Sequence, residues 1–249
     1  MDLGLAGRVY VVSGGSRGLG RATAEVLVAE GASVVLGARN VADVELAAQE
    51  LGGARHAVGI AADLADAAAA HRLVDAAHNA YGGLDGALIS VGGPAPGSAL
   101  DTSEEAWRAG FDSVFLGALR LIRAVAAGLG KGGSVAQVLS TSARSPIPGL
   151  AVSNGLRPGL AMLTKQLADE LGARGIRVNG LLPGRIATDR TMSLDADAGA
   201  RARNEAGIPL RRYGEPAEFG RVAAFLLSPA SSYVTGSLWP VDGGALRAL

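Results

Sequence analysis

Short apolar, β-branched runs alternate along the chain with longer Ala- and Leu-rich segments whose apolar positions recur at helical spacing. The runs predict strands at Arg8–Val12, Ser33–Leu36, His56–Ala61, Gly86–Val91, Ser134–Leu139, Ile176–Leu182 and Ser237–Val241. The intervening segments predict helices at Gly18–Glu30, Val41–Leu51, Asp66–Tyr81, Ser103–Leu129, Gly155–Leu171 and Pro216–Leu227. The strand runs are apolar throughout rather than alternating, so both faces of each are expected to be buried. Strand–helix alternation then requires an α/β architecture, a doubly wound, seven-stranded parallel sheet with helices on both faces. Gly31, Gly52, Gly82 and Gly172 follow helical runs where left-handed cap residues are expected. No linker, repeat or shift of composition divides residues 1–249, which read as one domain. Arg185–Tyr213 is predicted to be irregular, and its length exceeds that of an ordinary connection, which marks it as functional.

Composition narrows the chemistry. With 249 residues, 49% of them hydrophobic, the chain can bury a sizeable core. Its 23 basic and 23 acidic residues balance, which argues against nucleic acid or an anionic membrane as partner. It has no cysteine, hence no disulfide framework, thiol nucleophile or Cys-ligated metal. The opening Met1-Asp2-Leu3-Gly4-Leu5 lacks a signal-peptide profile, and no apolar run reaches the roughly 20 residues of a membrane span. A soluble, cytoplasmic protein is expected. His56, His71 and His78 belong to the third strand and third helix, and no His/Asp/Glu group has metal-ligand spacing, so no metal is expected. Of the basic residues only Lys131 and Lys165 are lysines, so any chemistry that needs an ammonium is confined to those two.

The first predicted strand runs into Ser13-Gly14-Gly15-Ser16-Arg17-Gly18-Leu19-Gly20, and a helix follows. Glycines in this context allow a sharp turn, close approach of backbone to a pyrophosphate, and tight helix–strand packing. The phosphates would meet the free N–H groups and positive dipole end of the helix. At the end of the second strand, where a carboxylate would bind an adenosine ribose, stand Ala38 and Arg39. Arg39 and Arg17, with no acid between them, suit a 2′-phosphate, so NADP(H) is expected over NAD(H).

The spacing Gly14-x3-Gly18-x-Gly20 resembles that of the short-chain dehydrogenase/reductase family, and the resemblance covers the whole chain. Asp63, followed by Leu64, matches the aspartate which that family places near the adenine. Asn179 matches within Arg177-Val178-Asn179, and Gly92 is the residue kept from the family's Asn-Asn-Ala-Gly. Pro183-Gly184-x-Ile186-x-Thr188 matches the nicotinamide-side loop, and Val241-Asp242-Gly243-Gly244 the C-terminal signature. The resemblance implies a Rossmann fold, a nicotinamide cofactor held by these residues, and a homo-oligomer, tetramer or dimer. The apolar faces of the helices at 103–129 and 155–171 agree with burial against another subunit.

At the catalytic positions the pattern breaks. The family uses a Tyr and a Lys four residues later, a Ser thirteen residues before the Tyr, and an Asn in the preceding helix. Here the alignment puts Ser153 at the Tyr, Arg157 at the Lys, Ser140 at the Ser and Val114 at the Asn position. No Tyr-x3-Lys occurs anywhere in the chain. Ser153-Asn154-x-Leu156-Arg157 and Pro146-Ile147-Pro148 resemble a divergent branch similar to 3-oxoacyl-[acyl carrier protein] reductases but without their full catalytic set. Arg157 can still donate to ribose hydroxyls but is a poor acid–base group, and the Ser153 alcohol is far less acidic than a phenol. Pro158 is expected near the helix start, with Ser153–Arg157 forming its first turn. The residues expected at the chemistry are thus Ser140, Ser153 and Arg157. The resemblance makes 185–213 a substrate lid, whose Arg185, Arg190, Arg201, Arg203, Arg211 and Arg212 stand among acidic residues. Two readings remain open: an NADP(H)-dependent oxidoreductase on a carbonyl or alcohol with an atypical proton source, or a dinucleotide-binding protein without redox turnover. Either would bind small molecules.

Overall fold

In a computed structural model of the protein, which describes residues 2–195 and 197–248, the predicted alternation folds into one seven-stranded parallel sheet. The strands are β1 (Val9–Ser13), β2 (Ser33–Ala38), β3 (Ala57–Ala61), β4 (Gly86–Ile89), β5 (Ser134–Val138), β6 (Arg177–Pro183) and β7 (Leu238–Val241). Their order across the sheet is β3-β2-β1-β4-β5-β6-β7, and every adjacent pair is parallel. The helices are α1 (Gly18–Ala29), α2 (Val41–Glu50), α3 (Ala69–Tyr81), α4 (Glu104–Gly110), α5 (Gly117–Gly128), α6 (Ala151–Gly172), α7 (Asp189–Leu194), α8 (Ala198–Gly207) and α9 (Pro216–Leu227).

The continuous apolar strands bury both faces, and two cores result. On one face Leu27, Val44, Phe219 and Leu226 from α1, α2 and α9 cover Val12, Leu36 and Leu88. On the other, Leu73, Leu121, Ile122 and Leu160 from α3, α5 and α6 cover Val11, Val35 and Ile89. Phe219 is fully buried, and truncating such a ring to Ala costs about 3–5 kcal/mol. Helices α1 and α9 cross closely because α9 offers Gly220 there; a Cβ on it would stand 2.5 Å from the Ala22 carbonyl oxygen. No helix among the described residues is long and apolar enough to cross a membrane.

Four expectations are corrected. The helix predicted over 103–129 is interrupted by a π-helical stretch at Phe111–Leu116, between α4 and α5. Helix α6 begins at Ala151, four residues earlier than predicted, so Pro158 lies inside it rather than in its first turn. The early turn is held by Asn154, whose Oδ1 accepts from the Ile147 N–H (3.0 Å) and whose Nδ2 donates to the Ile147 carbonyl (2.9 Å). Gly31, Gly52 and Gly82 do take positive φ, but Gly172 is still helical and the chain turns at Gly175 (φ 71°). The stretch 185–213 is not irregular, since it carries α7 and α8; Ala196 within it lies outside the described residues.

Candidate active site

The order in which successive strands are added to the parallel sheet reverses between β1 and β4, and a crevice opens beyond the carboxyl ends of the strands at such a switch point. Ser13, the last residue of β1, ties the two ends together. Its Oγ accepts from the Ser90 N–H at 2.8 Å and donates to the Ser90 carbonyl at 3.1 Å. The glycine turn starts there. Gly14 has φ 62°, and a Cβ on it would meet the Ser90 carbonyl oxygen at 2.8 Å. A Cβ on Gly20 would lie 2.2 Å from the Gly14 oxygen, so the turn can fold back on α1 only with glycine at that position. Ser16, Arg17 and Leu19 lie around the N-terminus of α1; Arg17 is its exposed N-cap and contributes no side-chain capping bond.

The remaining predicted residues gather at the same edge of the sheet. Ala38 ends β2, and Arg39 beyond it is exposed. Asp63 follows β3, its Oδ1 accepting from the Ala65 N–H, and Leu64 packs at Gly117, the start of α5. Gly92 is exposed in the loop after β4. Pro183 ends β6, Gly184 is bonded to the Val241 carbonyl, and Ile186 is buried and bridged to Gly214. Thr188 caps α7 and faces the glycine turn, 3.6 Å from where a Gly18 Cβ would stand. Asn179, by contrast, fastens β6 to the chain before β7, bonding Val234 and Ser237.

At the mouth between β5 and α6 the three expected chemical residues come together, with one change of partner. Ser140 follows β5, and its Oγ accepts the Ser142 N–H at 3.0 Å. The hydroxyl that meets Ser153 is that of Ser142, at 3.0 Å, and both residues are buried. Ser142 was not among the residues expected at the chemistry; a 3-10 turn brings this second serine of Ser140-x-Ser142 inward. Arg157 is 5% exposed and donates from Nη1 to the Val138 carbonyl at 2.7 Å, whereas its buried Nε has no partner among the described residues. Burial, helped by the like charge of Arg190, pulls its pKa down to about 10. It therefore stays protonated at neutral pH by about a thousand to one. Val114 is buried in the π-helical stretch.

The stretch 185–213 closes over the ends of β6 and β7. The Asp195 carboxylate holds Arg185 and accepts from the Tyr213 hydroxyl (2.8 Å), which also accepts from Asn204 Nδ2 (3.1 Å). From α7, Arg190 crosses to the loop after β4 and donates to the Gly93 and Pro94 carbonyls, each at 3.0 Å.

Residues 14–245 match the family model described as enoyl-(acyl carrier protein) reductase. The chain belongs to the short-chain dehydrogenase/reductase family. Its similarity to other short-chain dehydrogenases/reductases runs end to end. It is 33% identical to the 2,5-dichloro-2,5-cyclohexadiene-1,4-diol dehydrogenase of Sphingobium indicum over 245 residues, 96% of this chain and 97% of that one. Its structure is similar to a short-chain dehydrogenase/reductase (glucose/ribitol dehydrogenase) from Brucella melitensis, with a TM-score of 0.94, 30% identity and 100% of both chains covered. It is also similar to the L-sorbose reductase of Gluconobacter frateurii, solved with NADPH and L-sorbose, with a TM-score of 0.91, 30% identity and 100% of both chains. The chain is thus a short-chain oxidoreductase with that family's dinucleotide-binding fold and acts on small molecules.

Proposed function

We propose that this short-chain dehydrogenase/reductase interconverts a carbonyl and an alcohol with NADP(H), and that it represents a branch in which the Tyr-x3-Lys pair is replaced. The observation that carries the reading is the buried, unpartnered Nε of Arg157 beside the end of β5. A buried donor without an acceptor costs about 1–3 kcal/mol, and a ribose hydroxyl would relieve it. Bound NADPH would supply the hydride. The Gly14–Gly20 turn, with Ser16, Leu19 and the N-terminus of α1, binds the pyrophosphate. Arg17 and Arg39 hold the 2′-phosphate, and Asp63 and Leu64 border the adenine. Gly92, Pro183, Gly184, Ile186 and Thr188 border the nicotinamide half, and Arg157 holds its ribose.

Hydride addition to a carbonyl carbon leaves a proton to be delivered to the oxygen. Ser153 and Ser140 offer hydroxyls that orient this oxygen, and Ser142 Oγ holds Ser153. Neither alcohol is acidic enough to replace a phenol, so the proton comes from water or from the substrate itself. Residues 185–213 act as the substrate lid. The neighbour solved with NADPH and a sugar supports the cofactor half of this reading.

Calorimetry with NADPH on the native protein and on Arg157→Met tests it. The variant keeps or raises its melting temperature, because an uncompensated buried charge is removed, while NADPH affinity falls at least about tenfold. Equal NADPH affinity in the two proteins would overturn the role of Arg157. Tight NADPH binding with no oxidation against any ketone would instead favour a dinucleotide-binding protein without turnover.

A further inference from the structure

Arginines crowd the stretch 185–213, and the structure sorts them by partner. Arg185 pairs with Asp195, Arg201 with Glu205 (3.0 Å), Arg203 with Asp197 (3.5 Å) and Arg212 with Glu218 (2.7 Å). Arg211 and Arg190 form no ion pair among the described residues and donate only to backbone carbonyls. Arg211 stays local, bonded to Ala206. Arg190 spans the mouth of the cleft from α7 to Gly93 and Pro94. Gly93 leaves room for the crossing as it stands, since a Cβ on it would lie 2.5 Å from Arg190 Nη2.

The charge of Arg190 also acts on Arg157. Burial is the first cause of the depressed Arg157 pKa and the positive charge of Arg190 the second, with no acidic group acting on it. Two positive charges thus act on each other near the mouth of the cleft, and Arg190 is held there by backbone carbonyls and by no ion pair among the described residues. Such a pairing is unfavourable in the empty protein and becomes favourable around an anion. A guanidinium has five N–H donors, of which Arg190 uses two, so three remain free without breaking the crossing to Gly93 and Pro94.

From this, and resting on the cofactor site described under Proposed function, we propose that the carbonyl substrate bears an oxyanion, carboxylate or phosphate, near its carbonyl. Arg190 is the specificity-determining residue that binds it. The forked guanidinium fits both groups. The cofactor's own phosphates are assigned elsewhere, to the glycine turn and to Arg17 and Arg39.

Calorimetric titration of three probes, 2-oxobutanoate, dihydroxyacetone phosphate and uncharged 2-butanone, into the protein alone and into its NADPH complex tests the proposal. The expected result is saturable binding of at least one charged probe, weakened by added salt, and no measurable binding of 2-butanone; the stronger charged probe tells carboxylate from phosphate. Arg190→Gln should lower that affinity by roughly 10–100-fold, and Arg190→Lys should restore part of it. Equal binding of 2-butanone, or charged-probe binding unchanged in Arg190→Gln, would overturn the proposal. A loss of NADPH affinity in Arg190→Gln with unchanged probe binding would also overturn it and reassign Arg190 to the cofactor. A protein that binds no NADPH refutes the cofactor reading, and titration of the free protein still decides the anion selectivity.

Discussion

The hydroxyl oxygens of Ser142 and Ser153 lie 3.0 Å apart in the buried wall between β5 and α6. Ser153, which the sequence reading sets at the family's tyrosine position, is therefore held by the residue two places beyond Ser140. Ser140 Oγ accepts the Ser142 N–H and so sets the 3-10 turn that delivers this partner. Removing either hydroxyl leaves the other without its bond. Ser142→Ala and Ser153→Ala should each cost about 0.5–1.5 kcal/mol in denaturant unfolding. The double variant should cost less than their sum, because the pair is shared. Strict additivity would mean that the two hydroxyls do not interact.

Cofactor choice should turn on one position. With Ala38 ending β2 and exposed Arg39 next to it, NADPH should bind more tightly than NADH. Arg39→Ala should remove much of the difference. Ala38→Asp should reverse it, since a carboxylate there bonds a ribose hydroxyl and repels a 2′-phosphate. Calorimetry on the three proteins decides, and tighter NADH binding by the native protein would refute the assignment.

The sheet and the glycine turn were legible because their causes are local. Unbroken apolar runs such as Val34-Val35-Leu36 need burial on both faces, and the Gly14–Gly20 spacing carries its own steric reason. What escaped depends on contacts between distant segments. Pro158 argued for a helix start, but Asn154 locks the extra turn through Ile147. The π-helical stretch at Phe111–Leu116 has no composition of its own, and it lies where the helical path must fit Val152 at Gly110 and Leu64 at Gly117. Arg190 could not be told from five other arginines until their partners were placed.

Assembly should follow from the outer face of α4 and α6. Met162 is 72% exposed, and Phe111 is 42% exposed and stacked on Phe115 at 5.1 Å. Beside them a hollow of about 320 Å³ is lined by Trp107, Phe111 and Leu156. Apolar surface of this kind suits contact with another subunit. Light scattering at micromolar concentration should give a homo-oligomer, most simply a tetramer or dimer, and Met162→Asp should shift it toward monomer. A monomeric native protein would refute this.

Acid should weaken the start of α9. Glu218 accepts both Arg212 Nη groups at 2.7 Å and the Glu215 N–H at 2.8 Å, closing a capping box. The Arg212 bond and then the backbone bond pull its pKa down to about 2. A carboxylate with a lowered folded pKa contributes stability that is fully present above its unfolded value of about 4.3. That contribution is lost as pH falls toward 2. Solvent screening keeps it small. Glu218→Gln should flatten the stability profile in this window, as read by thermal melting between pH 5 and pH 2; an unchanged slope would mean that the box is broken in solution.

The catalytic deficit should be local and repairable. Ser153 and Arg157 lie between β5 and α6, Val114 is buried in the π-helical stretch, and general acid–base catalysis is typically worth roughly 10²–10⁴-fold. The native protein should therefore reduce uncharged ketones slowly or not at all while binding NADPH. The triple change Val114→Asn, Ser153→Tyr, Arg157→Lys installs a phenol, an ammonium and an amide, and should raise that reduction with little effect on NADPH affinity. Packing sets the difficulty. Val114 is 1% exposed and Ser153 7% exposed, so a tyrosine ring must swing into the cleft and give up the Ser142 bond. Overpacking of this sort costs about 1–3 kcal/mol. Thermal melting therefore accompanies the assay, with Arg157→Lys alone as a control that adds no volume. A folded triple variant that binds NADPH yet gains no activity would refute the alignment of Ser153 with the family's tyrosine. A native protein that reduces uncharged ketones as fast as relatives with the full catalytic set would point to a proton donor other than Ser140, Ser153 or Arg157.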